Sequence, residues 1–191
     1  MDYNGKVRGA QLLARLRYVR SLGVERALRI VASLEPETRA ELDERKIVPS
    51  TWYPAALMLK FDEAIAAEAA NGDRAAVLVA IGQFAADASF GPTGPLRPYA
   101  GQNDPHALLR DVPRVHAGLA GGGTRGYARV GARAALVRAV KGHRNEGGDC
   151  LTNVGWLQRA IERCGGRDVQ VVETACIGRG GSCCEYRCEW R

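Results

Sequence analysis

The chain has 191 residues, a formal net charge of +6 and an aromatic fraction of 6%. That length buries a core without covalent help, so the six cysteines are not required as staples, and no run approaches the roughly 20 apolar residues of a bilayer span. The opening MDYNGKVRGA lacks the apolar stretch of a secretion signal, which gives a cytoplasmic reading with cysteines as thiols or metal ligands rather than bridges, and the basic charge is too diffuse to outline a nucleic-acid surface.

The first half reads as helix. RGAQLLARLRYVRSLG sets Leu12, Leu16 and Val19 on one stripe with Leu13 beside it, and Gly23 stands where a C-terminal cap belongs. VERALRIVASL repeats the pattern through Val24, Leu28 and Val31, and Pro36 ends it or opens the next element. The arginines of this pair, Arg8, Arg15, Arg17, Arg20, Arg26 and Arg29, are expected on a solvated face. Pro54 then marks a first helical position, followed by Leu57, Phe61, Ala64 and Glu68 at helical spacing. DRAAVLVAIGQFAADASFG is apolar nearly all round and predicts a central helix packed on several sides. GPTGPLRPYAGQND is a loop, Asp104 and Pro105 restart a helix toward His116, and AGGGTRG closes the helical half as a flexible tract.

Beyond that tract the period changes. YARVGARAALVRAV alternates well enough for two short strands. DCLTNVGWLQRAIERCGG predicts a helix capped by Asp149, with Cys150, Val154, Leu157, Ile161 and Cys164 along one face. DVQVVETA and CCEYRCEW form a hairpin across the glycine-rich IGRGGS. The fold class is α+β: a helical N-terminal half packed on a mainly antiparallel sheet, with a C-terminal helix and β-hairpin. Residues 1–191 form one domain, helical over 1–120 and strand–helix–hairpin over 121–191.

Period two on the last strand sorts its cysteines. Cys184, Tyr186, Cys188 and Trp190 share the core face, whereas Cys183 sits with Glu185, Arg187 and Glu189. Cys164 belongs to helix packing, and any one of these cysteines serves as well as a small buried hydrophobe. Cys150 at a helix start, and Cys176 and Cys184 at the two ends of the hairpin turn, then remain to meet, with Glu173 as a fourth donor. Three thiolates and a carboxylate suit tetrahedral zinc. An ideal strand points Glu173 and Cys176 to opposite faces, so the arrangement requires a bulge or strand end between them. The close C-x-x-C pairs of a zinc finger are missing.

The stretch from Gly147 to Trp190, with a cysteine before an amphipathic helix, a glycine pair, VQVVETAC, a glycine turn and CEYRCEW, resembles the 4-vinyl reductase domain family. The resemblance to its relatives among aromatic-responsive bacterial activators implies a closed, structural zinc on Cys150, Glu173, Cys176 and Cys184. Through VRGAQLLARLRYVRSLG, PSTWYP, NDPHALLRDVP and CLTNVGW most of the chain is similar to a lineage-restricted paralogous family of myxobacteria of unknown function. The 4-vinyl reductase relatives imply a small-molecule pocket between helices and sheet, a homodimer, and kinship with scaffold subunits. No ATPase or DNA-binding segment is attached, so a sensed signal would pass to an unidentified signalling protein.

Catalysis is not expected. His106, His116 and His143 are scattered without metalloprotease spacing or a serine elbow, and GRGGS lacks the strand-to-helix setting of a phosphate loop. Haem held through a histidine is an option on a related fold, with no residue here fixing an axial ligand. The expected function is a non-enzymatic regulatory sensor binding a small apolar or aromatic ligand, with Trp52, Tyr53, Phe61 and Phe84 as candidate pocket walls that serve equally as core. The alternative is a protein–protein interaction scaffold. A cavity of roughly 300 Å³ or more favours the sensor, and a filled interior the scaffold.

Overall fold

The structure, a computed structural model, describes residues 5–121, 123–140 and 149–191, with only the backbone at 149. His143 and the expected Asp149 side-chain cap lie outside the described residues. In chain order the elements are β1 (Lys6–Arg8), α1 (Gly9–Ser21), α2 (Val24–Ser33), α3 (Pro36–Glu41), β2 (Trp52–Pro54), α4 (Ala55–Ala69), α5 (Arg74–Ser89), α6 (Pro105–Leu119), β3 (Ala120–Gly121), β4 (Thr124–Gly131), β5 (Ala134–Val140), α7 (Asp149–Arg163), β6 (Gln170–Ala175) and β7 (Cys184–Glu189). The expected α+β class holds: the helical half packs on an antiparallel four-stranded sheet ordered β4-β5-β7-β6.

Local chemistry sets the helix starts. The Asp73 carboxylate accepts the Ala76 amide at 2.9 Å to cap α5, and Asp104 accepts from Ala107 at 3.0 Å to cap α6, with Pro105 supplying a preset first φ. Pro54 ends β2 rather than opening α4, which starts one residue later with the Ala55 amide bonded to the Gly5 carbonyl at 2.8 Å. A second sheet, β2-β1-β3, has strands of two or three residues, too short to show alternation in sequence. Part of the glycine-rich tract expected to be flexible is thus paired, with Val7 opposite Ala120.

The inner face of the main sheet carries Val137, Tyr186, Cys188 and Trp190 against Leu109 and Val112 of α6 and Leu157 and Ile161 of α7. Outside that layer α5 crosses α7 at a glycine contact. A Cβ built on Gly82 would overlap the Thr152 carbonyl, and one on Gly155 the Val79 carbonyl, so the two backbones approach as only glycine permits. Helices α1, α2 and α4 complete the second core around Leu12, Ile30, Phe61, Ile65 and Leu78.

Two expectations about the first helices are corrected. The stripe Val24, Leu28, Val31 does not face the core: Val24 and Leu28 are 77% and 66% exposed, and Ala27, Ile30 and Leu34 turn inward instead. Both triplets have helical spacing, and packing rather than period chose between them. Arg15, expected in solvent, is 4% exposed. It lies between Leu12 and Val19 on the buried stripe, and its guanidinium meets the equally buried Asp62 of α4 through Nε–Oδ1 at 3.0 Å and NH2–Oδ2 at 3.2 Å. Among the described residues no helix is long and apolar enough to cross a membrane.

Candidate functional site: a thiol quartet beside an apolar cavity

The β6–β7 turn gathers the cysteines. After Cys176 the chain makes a 3-10 turn over Ile177–Arg179 and enters Gly180 at φ +87°, a left-handed position that favours glycine. The Cys176 carbonyl accepts from the Arg179 and Gly181 amides at 3.1 and 2.8 Å, closing the turn and returning the chain to Cys184. The β6–β7 register shifts between Glu173 and Ala175, the local irregularity that Glu173 and Cys176 need to share a side. Helix α7 brings Cys150 over the turn. Its sulfur lies 3.5 Å from that of Cys176 and 3.8 Å from that of Cys184, and the four ligand atoms of Cys150, Glu173, Cys176 and Cys184 all fall within 4.8 Å of one another.

Burial pushes the Cys150 thiol pKa far up, reinforced by the Glu173 carboxylate and the Cys176 thiol beside it. Cys184 is raised by burial too, although the Ile177 amide, donating to its sulfur at 3.4 Å, opposes this. Glu173 directs Oε2 to the Arg179 guanidinium at 2.7 Å, while Oε1 is buried outside any hydrogen bond among the described residues. For comparison, tetrahedral bonds of about 2.3 Å separate sulfur atoms by about 3.8 Å. The quartet therefore has the donor set and size for one thiophilic cation, whose binding requires the thiolate form of its cysteines.

The other cysteines lie elsewhere. Cys164 and Cys188 are fully buried, and burial raises both thiols to about 12. Cys183 is half-buried on the outer side of the hairpin. Exposure and thiolate content govern alkylation, so iodoacetamide at pH 8 should label Cys183 before any other cysteine. Peptide mass spectrometry reads the order, and early labelling of Cys150 or Cys176 would contradict this burial pattern.

Against the quartet lies a cavity of about 150 Å³ between the helices and the sheet. Val7 of β1, Met58 of α4, Val112 and Val115 of α6, Val137 of β5 and Trp156 of α7 supply apolar wall, and Cys184 borders both cavity and quartet. None of the aromatic residues proposed as walls reaches it. Phe61 is fully buried in the helical core, Phe84 meets Tyr18 edge-on at 5.6 Å, Trp52 lies under the Arg8 guanidinium at 3.9 Å, and the Tyr53 hydroxyl accepts from the Val48 amide at 2.9 Å. Each fills core or surface structure, a role that residue type alone does not separate from pocket lining. Missed from sequence were the cavity's polar groups, Gln11, Arg15, His116, Arg125, Thr152 and Asn153, whose one legible signal was Arg15 standing inside an apolar stripe.

No family model and no curated protein sequence matches this chain. Solved structures do. An H-NOX protein from S. oneidensis in the Fe(II)NO state aligns with a TM-score of 0.73 at 15% identity over 96% of this chain and 99% of its own. Fe(II) unliganded H-NOX protein from K. algicida aligns at 0.65 and 14% identity over 96% of both chains. A structure described as "Modulating Heme Redox Potential Through Protein-Induced Porphyrin Distortion" aligns at 0.66 and 12% identity over 96% of this chain and 99% of that one.

The fold is therefore that of H-NOX domains, which corrects the resemblance to the 4-vinyl reductase and myxobacterial families. The cysteine, glycine and strand pattern behind the 4-vinyl reductase resemblance is local to the last 45 or so residues, and short supersecondary patterns recur on different folds. Zinc as the cofactor is corrected with it, because the solved proteins sharing this topology are described by Fe(II) and haem.

Haem is the group this fold implies, and the described residues do not fit it. The cavity is half the size of the smallest pockets that take drug-sized ligands, about 300 Å³, and a porphyrin is larger than most such ligands. Haem iron needs an axial ligand, most often histidine. His106 on α6 has both ring nitrogens engaged, Nε2 with the Ala132 carbonyl at 2.9 Å and Nδ1 with the Tyr127 hydroxyl at 2.8 Å. The cavity-facing middle of α6 presents Val112 and Val115, and His116 reaches the wall only in the last turn.

Proposed function

We propose that this chain is a non-catalytic regulatory domain that has the H-NOX topology, holds no haem, and reports occupancy of its internal cavity to a partner protein. The observation that carries the reading is the largely apolar space of about 150 Å³ between helices and sheet. A space of that volume takes a molecule of about benzene's size, so the ligand is small. Cys184 lies on its wall and in the quartet at once, which supports occupancy being felt at the β6–β7 turn. Residues 1–191 act as one domain in this reading. A homodimer is part of the proposal, with the exposed Val24 and Leu28 of α2 as apolar surface for it, and light scattering on the full chain gives the stoichiometry.

Two measurements test the proposal. Calorimetry with toluene should show saturable binding to the wild type, and Ala85→Leu, which fills the cavity from α5, should abolish it without lowering the melting temperature. Binding that survives Ala85→Leu would place the ligand elsewhere. The purified protein should also carry no stoichiometric haem, and added haemin should keep the spectrum of free haemin. A sharp Soret band lost in His116→Ala would overturn the haem-free reading.

The quartet carries a second proposal. We infer that Cys150, Glu173, Cys176 and Cys184 take up one thiophilic cation, on the strength of their 4.8 Å cluster. Metal analysis should then find about one equivalent per chain, lost in Cys176→Ser and retained in Cys183→Ser. Equal metal content in both variants would remove the site.

A further inference from the structure

Among the described residues the cavity wall contains no aspartate or glutamate, yet it contains two arginines. The charge of Arg15 is answered by Asp62 through two bonds, and its NH1 is taken up by the Gln11 side chain at 3.0 Å. Arg125 is different. On β4 it stands opposite Ala139 of β5, itself a wall residue, and Tyr127, the next residue on that face, packs into the inner core. The Arg125 side chain is thereby directed inward. Its guanidinium reaches Asn153 Oδ1 at 3.5 Å, the outer limit of a hydrogen bond, and it has no carboxylate partner among the described residues.

A half-buried guanidinium beside apolar surface is unfavourable until an anion answers it, and its planar fork matches a carboxylate through two parallel hydrogen bonds. We infer that the cavity's ligand is a small apolar monocarboxylate, its carboxylate held by Arg125 and its hydrocarbon body enclosed by the α6, α7 and β5 side chains. This rests on the cavity reading above and adds the ligand's chemical class. The apolar body is limited to about the size of a benzene ring by the space available.

Calorimetry on the full chain with benzoate, benzamide and toluene tests it. These probes share the ring and differ in charge and polarity. Benzoate should bind the wild type about tenfold to a hundredfold more tightly than benzamide, the ratio expected when a hydrogen-bonded ion pair replaces a neutral contact. Arg125→Gln should bring benzoate down to the benzamide affinity and leave toluene binding unchanged, which also shows that the variant folds. Should toluene bind while benzoate gains nothing over benzamide in the wild type, the carboxylate inference is overturned and the cavity reading stands. Failure of all three ligands to bind would overturn both.

Discussion

Asp62→Ala should destabilise the protein by about 3–5 kcal/mol, because it leaves the Arg15 guanidinium buried without its counter-charge. Arg15 and Asp62 are each under 5% exposed, and their two bonds join α1 to α4 across the helical core. Gln11 also accepts from Arg15, and this single acceptor does not replace an anion. Urea unfolding followed by circular dichroism measures the loss. Arg15→Met combined with Asp62→Leu should recover most of it, since a buried pair replaced by apolar side chains of similar volume is often neutral. A single variant as stable as the wild type would show that the pair is solvated in solution.

Gly155→Val should cost about 3 kcal/mol or more, at the upper end of overpacking. Any Cβ at this position runs into the Val79 carbonyl of α5, and one at Gly82 into the Thr152 carbonyl of α7, so both helices must part for either side chain. The effect reaches the site, because Cys150 opens α7 and Gly82, Thr152 and Trp156 line the cavity. Gly155→Val should therefore expose Cys150 to alkylation as well as lower the urea midpoint. Gly118→Ala is the control: it sits on α6 with nothing within 4 Å of the added carbon, and should be neutral or stabilising by up to about 1 kcal/mol. A Gly155→Val variant as stable as Gly118→Ala would mean that the crossing accommodates a side chain without cost.

Much of the architecture was legible because it is periodic. Alternation on the last strand put Cys184, Tyr186, Cys188 and Trp190 inward, and all four are buried, while Cys183 and Glu185 lie on the other side. Aspartate before proline marked the start of α6. The order of Cys150, Glu173, Cys176 and Cys184 also sufficed to nominate a cluster that the fold does assemble, though the bulge that turns Glu173 toward the sulfurs could only be stated as a requirement.

Other features had no periodic signature. Strands β1, β2 and β3 are set by partners that lie far apart in the chain, as in Lys6 opposite both Pro54 and Gly121. Helix α2 offers two stripes of equal spacing, and contact with α4 and α1 selected Ile30 over Leu28. A cavity is defined by atoms that do not meet, so Phe61 and Phe84 read as pocket walls from composition while Val112, Val115 and Arg125 became the walls.

By itself the sequence determined the kind of each long element and the inward face of the last strand, because helix and strand periods are properties of neighbouring residues along one chain. The tertiary structure alone decided that Arg15 is buried with Asp62, that glycines let α5 and α7 touch, and that an arginine on β4 faces an apolar space. Those outcomes depend on which distant surfaces come together, and the free energy of burying a charge or closing a gap is set by the partner across the contact.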